Sequence, residues 1–210
     1  MSDMQVLSDA VEKGKRADAR QLTQALLDGG ARPLEIVEQG LVPGMSAIGQ
    51  RFKDNKAFVP DMLTAAGAMK ECMKLLEPLL AKEGFTPKHT VIIGTVQGDL
   101  HDIGKNLVAM MWRGANVNVI DLGTNVRPTK FVEAVRQHGV RVVGLSALLT
   151  TTMPAMKNAV QSIRGAGLGE VKIIVGGAPI TAEFATDIGA DGYGRDAASA
   201  TDALLRMLGE

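Results

Sequence analysis

"TVIIGTVQGDLHDIGKNL", residues 90 to 107, decides how this chain folds. It begins as an apolar, β-branched run too short for a helix, passes through the polar stretch "QGDLHD", and continues from "IGKNL" with apolar residues at helical spacing. That is a strand, a loop and a helix. The same unit recurs downstream. Further strands are expected at 116–123, 140–148, 171–178 and 191–194, each followed by an amphipathic segment, so that helices cover 103–113, 128–138, 153–165, 181–188 and 197–208. Strand and helix alternating five times imply a parallel sheet with helices on both faces. In such open sheets ligands bind beyond the carboxyl ends of the strands, where the strand order reverses. For a flavodoxin-like (Rossmann-like) order 2-1-3-4-5, the loops meeting there follow strands one and three, with strand four adjacent.

Upstream the period changes. From residue 4 to about 84, apolar positions recur at helical spacing without β-branched runs. Four helices are expected: 4–14, ending at Gly14; 18–28, started by Asp18 and stopped by Gly29 and Gly30; 33–53, opened by Pro33; and 60–83, opened by Pro60 and stopped by Gly84. The third carries Gly40, Pro43, Gly44 and Gly49, which predicts a kink near "QGLVPG". With "EGFTPKH" (83–89) as linker, the chain divides into a helical bundle, 1–86, and an α/β domain, 87–210.

Bulk composition excludes several classes. Lysine plus arginine and aspartate plus glutamate both number 23 and no basic cluster occurs, which argues against nucleic acid. The single cysteine, Cys72, cannot form an internal disulfide. The N-terminal stretch lacks a signal-peptide pattern, and no run approaches the roughly 20 apolar residues of a membrane span. A cytoplasmic protein without membrane contact is expected.

The three converging loops hold the unusual residues: "QGDLHDIG", "LSALLTTTMP" and "GGAP". The first fails as a P-loop, because five residues separate Gly98 from Gly104 and Asn106 stands where Ser or Thr should hold magnesium. It fails as a dinucleotide turn because Leu100 and His101 are too bulky for close pyrophosphate approach. A metal reading survives. His101 offers one imidazole nitrogen, and Asp99 is spaced to hold the other. With His89 and His138 outside these loops, one histidine cannot cage a bare ion, but it suffices as the axial ligand of a metal already held by a macrocycle.

"GDLHDIGKN", "LSALLT" and "VGGAP" resemble the D-x-H-x-x-G, S-x-L and G-G signature of cobalamin-binding domains, and "FVPDMLTAAGAMKECMKLLEPLL" resembles the helical cap that precedes them in methionine synthase and in stand-alone corrinoid methyl carriers. The resemblance spans nearly the whole chain. It implies cobalamin or a related corrinoid as cofactor, with His101 as the lower axial ligand to cobalt in place of the cofactor's own base. Asp99 would hold the imidazole, and Ser146 would hold Asp99, the pair forming a proton relay. Gly98, Asp102, Gly104, Ser146, Leu148, Thr150, Gly176 and Gly177 would line the cofactor and its displaced nucleotide tail. Phe58 would reach the opposite face from the cap.

The same resemblance implies a methyl shuttle in one-carbon metabolism, cycling between Co(I) and methyl-Co(III). The chain would be a carrier subunit rather than an independent catalyst. Its partners would be a substrate:corrinoid methyltransferase, a second methyltransferase delivering to tetrahydrofolate or a thiol, and a reductive activase. Alternatives within the same cofactor class are a cobalamin-dependent sensor and the cobalt-binding subunit of an adenosylcobalamin mutase. Each residue also has a structural reading. Phe58, Met62, Ala65, Met69, Cys72 and Leu76 form one helical stripe of the kind that makes bundle core. Asp99 or Asp102 suits a helix N-cap, Ser146 a turn, and Gly176 with Gly177 the end of a strand.

Overall fold

The computed structural model describes residues 3–84 and 87–209, so the 83–89 connection lies partly outside the described residues. The chain forms two compact units. One comprises the residues up to Lys88 together with Arg113–Asn116; the other comprises His89–Trp112 and the chain from Val117 onward.

The first unit is helical: α1 (Asp3–Glu12), α2 (Arg16–Asp28), α3 (Pro33–Ile36), α4 (Val42–Lys53) and α5 (Val59–Lys82). Helix α2 starts before the expected Asp18, which lies instead in its first turn, where a carboxylate suits the positive end of the helix dipole. The expected break near "QGLVPG" is a wide turn. Val37–Leu41 form a π-helical segment, in which the Val42 N–H donates to the Val37 carbonyl, joining α3 to α4 without interruption. Proline lacks an N–H and crowds the turn before it, so the widened turn accommodates Pro43. The glycines there serve packing against α1: a Cβ on Gly40 would lie 2.7 Å from the Leu7 side chain, and one on Gly44 2.6 Å from the Ser8 carbonyl.

In α5 the stripe reading separates its members. Met62, Ala65, Met69, Cys72 and Leu76 are buried, whereas Phe58 is 68 % exposed at the N-cap. There the Asp61 carboxylate accepts the Phe58 N–H at 2.7 Å and fixes the helix start.

The second unit runs β1 (Thr90–Thr95), α6 (Ile103–Gly114), β2 (Asn118–Asp121), α7 (Pro128–His138), β3 (Val142–Ser146), α8 (Met153–Gly165), β4 (Lys172–Gly176), α9 (Ala182–Asp187), β5 (Gly192–Gly194) and α10 (Ala197–Leu208), with a 3-10 turn at Thr150–Thr152. The sheet is parallel throughout, in the expected order β2-β1-β3-β4-β5. Alternate residues feed two cores. Val91, Ile93, Val142 and Ile174 pack with Trp112 of α6 and Leu204 of α10. Ile92, Val143, Leu145, Ile173 and Val175 pack with Phe131 of α7 and with Met156 and Ile163 of α8. Trp112 crosses so close to β3 that a Cβ on Gly144 would lie 2.7 Å from its ring, which explains a glycine inside a buried strand.

What this topology positions is a row. Thr95 pairs with Ser146, Ser146 with Gly176, and Gly176 with Gly194, so β1, β3, β4 and β5 end in register at their carboxyl side. The three unusual loops all leave from that row.

Candidate corrinoid site

Leaving β1, the chain turns through Gly98 in a left-handed conformation (φ 84°), which drops Asp99 back beneath the loop. Asp99 is wholly buried (0 % exposed) and accepts hydrogen bonds from both sides. Its Oδ1 takes the His101 N–H at 3.0 Å and lies 2.8 Å from His101 Nδ1. Its Oδ2 takes the Leu148 N–H at 2.7 Å, the Leu149 N–H at 3.3 Å and the Thr152 hydroxyl at 2.8 Å. Burial alone pushes the carboxyl up. The bonds from the His101 and Leu148 amides, the imidazole and Thr152 outweigh that effect and hold it well below the usual carboxylate range. Asp99 is therefore a carboxylate and can only accept, so Nδ1 carries the hydrogen, and in the neutral imidazole the lone pair is on Nε2.

The hydroxyl on Asp99 is a correction to the sequence reading, which gave that role to Ser146. Ser146 ends β3, where its carbonyl accepts the Val96 N–H at 3.0 Å, and none of the bonds on Asp99 comes from its side chain. The 3-10 turn supplies the reason. It leaves Thr150 and Thr151 exposed and turns Thr152 inward, buried, onto the carboxylate. Only the "TTT" run hinted at this, and sequence alone does not say which threonine faces in.

Asp102 precedes α6 in the N-cap position, but its carboxylate takes the Asn106 side-chain amide at 3.0 Å instead of a backbone N–H. The imidazole is about half exposed, with a side-chain exposure of 51 %, and is set among uncovered apolar side chains. Leu100 and Ile103 are 73 % and 75 % exposed, and Leu148 and Leu149 each 41 %. An imidazole nitrogen on loops that also leave these four apolar side chains uncovered is the chemistry that would suit a broad, flat macrocycle around a metal, with His101 as the residue that would hold it. Among the described residues no cluster of three His, Cys, Asp or Glu side chains could hold a bare ion.

The glycines divide. A Cβ on Gly104 would meet nothing within 4 Å, so the space over the first turn of α6 is open to a ligand. Gly176 and Gly177 are required by the protein itself: a Cβ would lie 2.7 Å from the Gly194 carbonyl in one case and 1.8 Å from the Ala147 carbonyl in the other, where φ is also 126°. Phe58 belongs to the helical unit.

Similarity to known proteins identifies the family and the cofactor. A family model described as a B12 binding domain matches residues 89–202, and a second model of the same description matches residues 4–77. A corrinoid protein of Desulfitobacterium hafniense is 36 % identical over 100 % of this chain and 99 % of its own length. A trimethylamine corrinoid protein of Methanosarcina mazei is 40 % identical over 90 % of this chain and 87 % of its own. Among solved structures, a cobalamin-binding protein of D. hafniense superposes with TM-score 0.83 at 26 % identity, covering 99 % of each chain. The methanol:cobalamin methyltransferase complex of Methanosarcina barkeri gives TM-score 0.84 at 29 % identity, over 97 % of this chain and 79 % of that one. With two B12 binding domain matches and corrinoid relatives over its full length, the chain belongs to the corrinoid proteins and takes cobalamin or a related corrinoid as its cofactor.

Proposed function

We propose that this protein carries a methyl group on its corrinoid between two methyltransferases, one specific for a methylated substrate and one for an acceptor. When bound, the corrinoid supplies a cobalt that accepts a methyl group and later gives it up. The observation that carries the reading is the His101–Asp99 pair, held at 2.8 Å with the imidazole about half exposed on loops that also expose Leu100, Ile103, Leu148 and Leu149. Relatives named as trimethylamine and dimethylamine corrinoid proteins, and a solved methanol:cobalamin methyltransferase complex, support it.

The residues give the pair two states. In one, Nε2 of His101 is offered outward as ligand while Nδ1–H donates to Asp99. In the other, Nε2 takes a proton and the imidazolium is neutralised by the buried carboxylate. Thr152 completes the relay, because its one hydroxyl hydrogen has two acceptors, Asp99 Oδ2 and the Leu149 carbonyl, both at 2.8 Å. The hydroxyl steadies Asp99 as charge on the imidazole changes. Gly98, Asp102, Gly104, Ser146, Leu148, Thr150, Gly176 and Gly177 line the cofactor and its nucleotide tail in this reading. The resemblance assigns Phe58, an exposed aromatic of the helical unit, to the cofactor as well. The partner methyltransferase selects the donor, the acceptor enzyme uses tetrahydrofolate or a thiol, an activase restores the reduced cofactor, and the cycle runs in the cytoplasm. Among the described residues no helix is long and apolar enough to cross a membrane.

The test is direct. Reconstituted protein, reduced and mixed with trimethylamine, dimethylamine or methanol and the methyltransferase encoded beside it, should acquire the absorption spectrum of a methylated corrinoid. His101→Ala should lose the nitrogen-bound signature in its cob(II) form. Corrinoid binding without methylation by any donor and partner would turn the reading toward a sensor.

A further inference from the structure

On the β2 side of the same loop lies a lysine that the site has not used. Lys105, in the first turn of α6, has a side chain only 2 % exposed, uncommon for a residue that normally extends into water. Its ammonium pairs with Asp121 at the carboxyl end of β2 and donates to Asn106 Oδ1 at 2.7 Å. From Asp121 the bonds lead back to the ligand. Asp121 Oδ1 accepts the Gly123 N–H at 2.9 Å, the Gly123 carbonyl accepts the Thr95 N–H at 2.9 Å, and the Thr95 hydroxyl donates to the carbonyl of His101 at 2.9 Å. One end of this chain holds the backbone of His101, and the other holds the helix that begins two residues later.

We infer that the Lys105–Asp121 pair is a second positioning device for His101, acting on the backbone of its loop where Asp99 and Thr152 act on the imidazole. This inference rests on the reading of His101 as the axial ligand. The physical argument is one of cost. Burying an ammonium beside a carboxylate is justified for stability alone only weakly, since apolar residues of similar size often serve as well. The pair does what an apolar contact cannot: it couples direction, through Gly123 and Thr95, to the carbonyl of the ligand residue. Partners of this outer kind typically change metal affinity when removed.

The experiment uses full-length protein loaded with cob(II)alamin and reads the fraction of cobalt whose EPR spectrum carries splitting from an axial nitrogen. Lys105→Met leaves Asp121 unpaired, and Lys105→Met/Asp121→Asn removes that leftover charge so that folding recovers. Both should show the equilibrium constant for axial nitrogen binding reduced by about 10-fold. A double variant that melts like the wild type and keeps the wild-type nitrogen signal overturns the inference. If wild type and His101→Ala give the same signal, the axial-ligand reading itself has failed, and the two failures are thereby told apart. Should neither variant fold, hydrogen exchange on the cofactor-free wild type decides. The Gly123 and His101 amides should be protected to the same degree, and a Gly123 amide exchanging as a free loop, beside a protected His101, overturns the proposal.

Discussion

Asp99 and Thr152 are 53 positions apart in sequence, yet the threonine hydroxyl lies 2.8 Å from the aspartate Oδ2 inside the protein. The carboxylate is thereby shared between two loops: the one after β1 reaches it from His101, and the one after β3 reaches it through two amides and this hydroxyl. The β1 and β3 loops are clasped on a single charge.

Removing that charge should therefore loosen both loops. Asp99→Asn replaces two accepting oxygens with one and should cost about 2–3 kcal/mol at pH 7, measured by urea unfolding of cofactor-free protein. The pH dependence has a fixed sign. Since the folded-state pKa is depressed, the stabilisation is fully present above the unfolded value of about 4 and is lost as pH falls through the lower folded value. The variant should lack this component of the acid limb, and an unchanged limb would contradict the burial and bonding seen here.

Two hydroxyls near the site have different expected roles. Thr152→Val keeps the shape of the side chain and removes its donor, so it should cost about 1–2 kcal/mol and reduce the nitrogen-bound fraction of the loaded protein. Ser146→Ala, which takes nothing from Asp99, should leave that fraction unchanged. The reverse outcome in EPR of the cob(II) form would return the relay to Ser146.

The glycines can be separated by substitution to alanine. Gly104→Ala has open space and sits in a helix, so the cofactor-free protein should gain up to about 1 kcal/mol while corrinoid affinity falls. Gly177→Ala forces a Cβ to 1.8 Å from the Ala147 carbonyl at φ 126°. It should lower stability by at least about 2 kcal/mol before any ligand is added. Thermal melts and corrinoid titrations of the two variants should thus move in opposite orders.

At the other end of the sheet, Asp191 ties β4 to the turn before β5. It accepts the Ile173 N–H at 2.8 Å and pairs with Arg164 at 2.5 Å and Lys172 at 3.1 Å. Burial raises its pKa, but these bonds prevail and hold it below the ordinary value. Asp191→Asn should cost about 1–2 kcal/mol in urea unfolding, with the loss disappearing toward low pH as the wild-type carboxylate protonates. The corrinoid spectrum of the folded variant should be that of the wild type, because this cluster lies at the opposite ends of the strands from His101.

The amino-acid sequence by itself determined the alternation of strands and helices, the parallel order, the helical character of the first half and the pairing of Asp99 with His101. Each of these is local or periodic: a β-branched run, a helical repeat, a two-residue spacing. It also supplied enough ordered motif to point to a corrinoid. Other features depended on distant segments meeting. Which of three consecutive threonines caps Asp99 follows from a 3-10 turn after β3, and the burial of Lys105 follows from Asp121 sixteen positions later on the edge strand. The kink expected from "QGLVPG" is a π turn that accommodates Pro43, and only the tertiary structure shows α1 packed onto Gly40 and Gly44 there. That Gly176 and Gly177, which the resemblance sets along the nucleotide tail, also lie against neighbouring carbonyls is visible only in the folded chain. Spacing along the chain sets which groups are available, but the direction of a hydroxyl or an ammonium is chosen by the acceptor it meets, and that acceptor is in place only once the strands have paired.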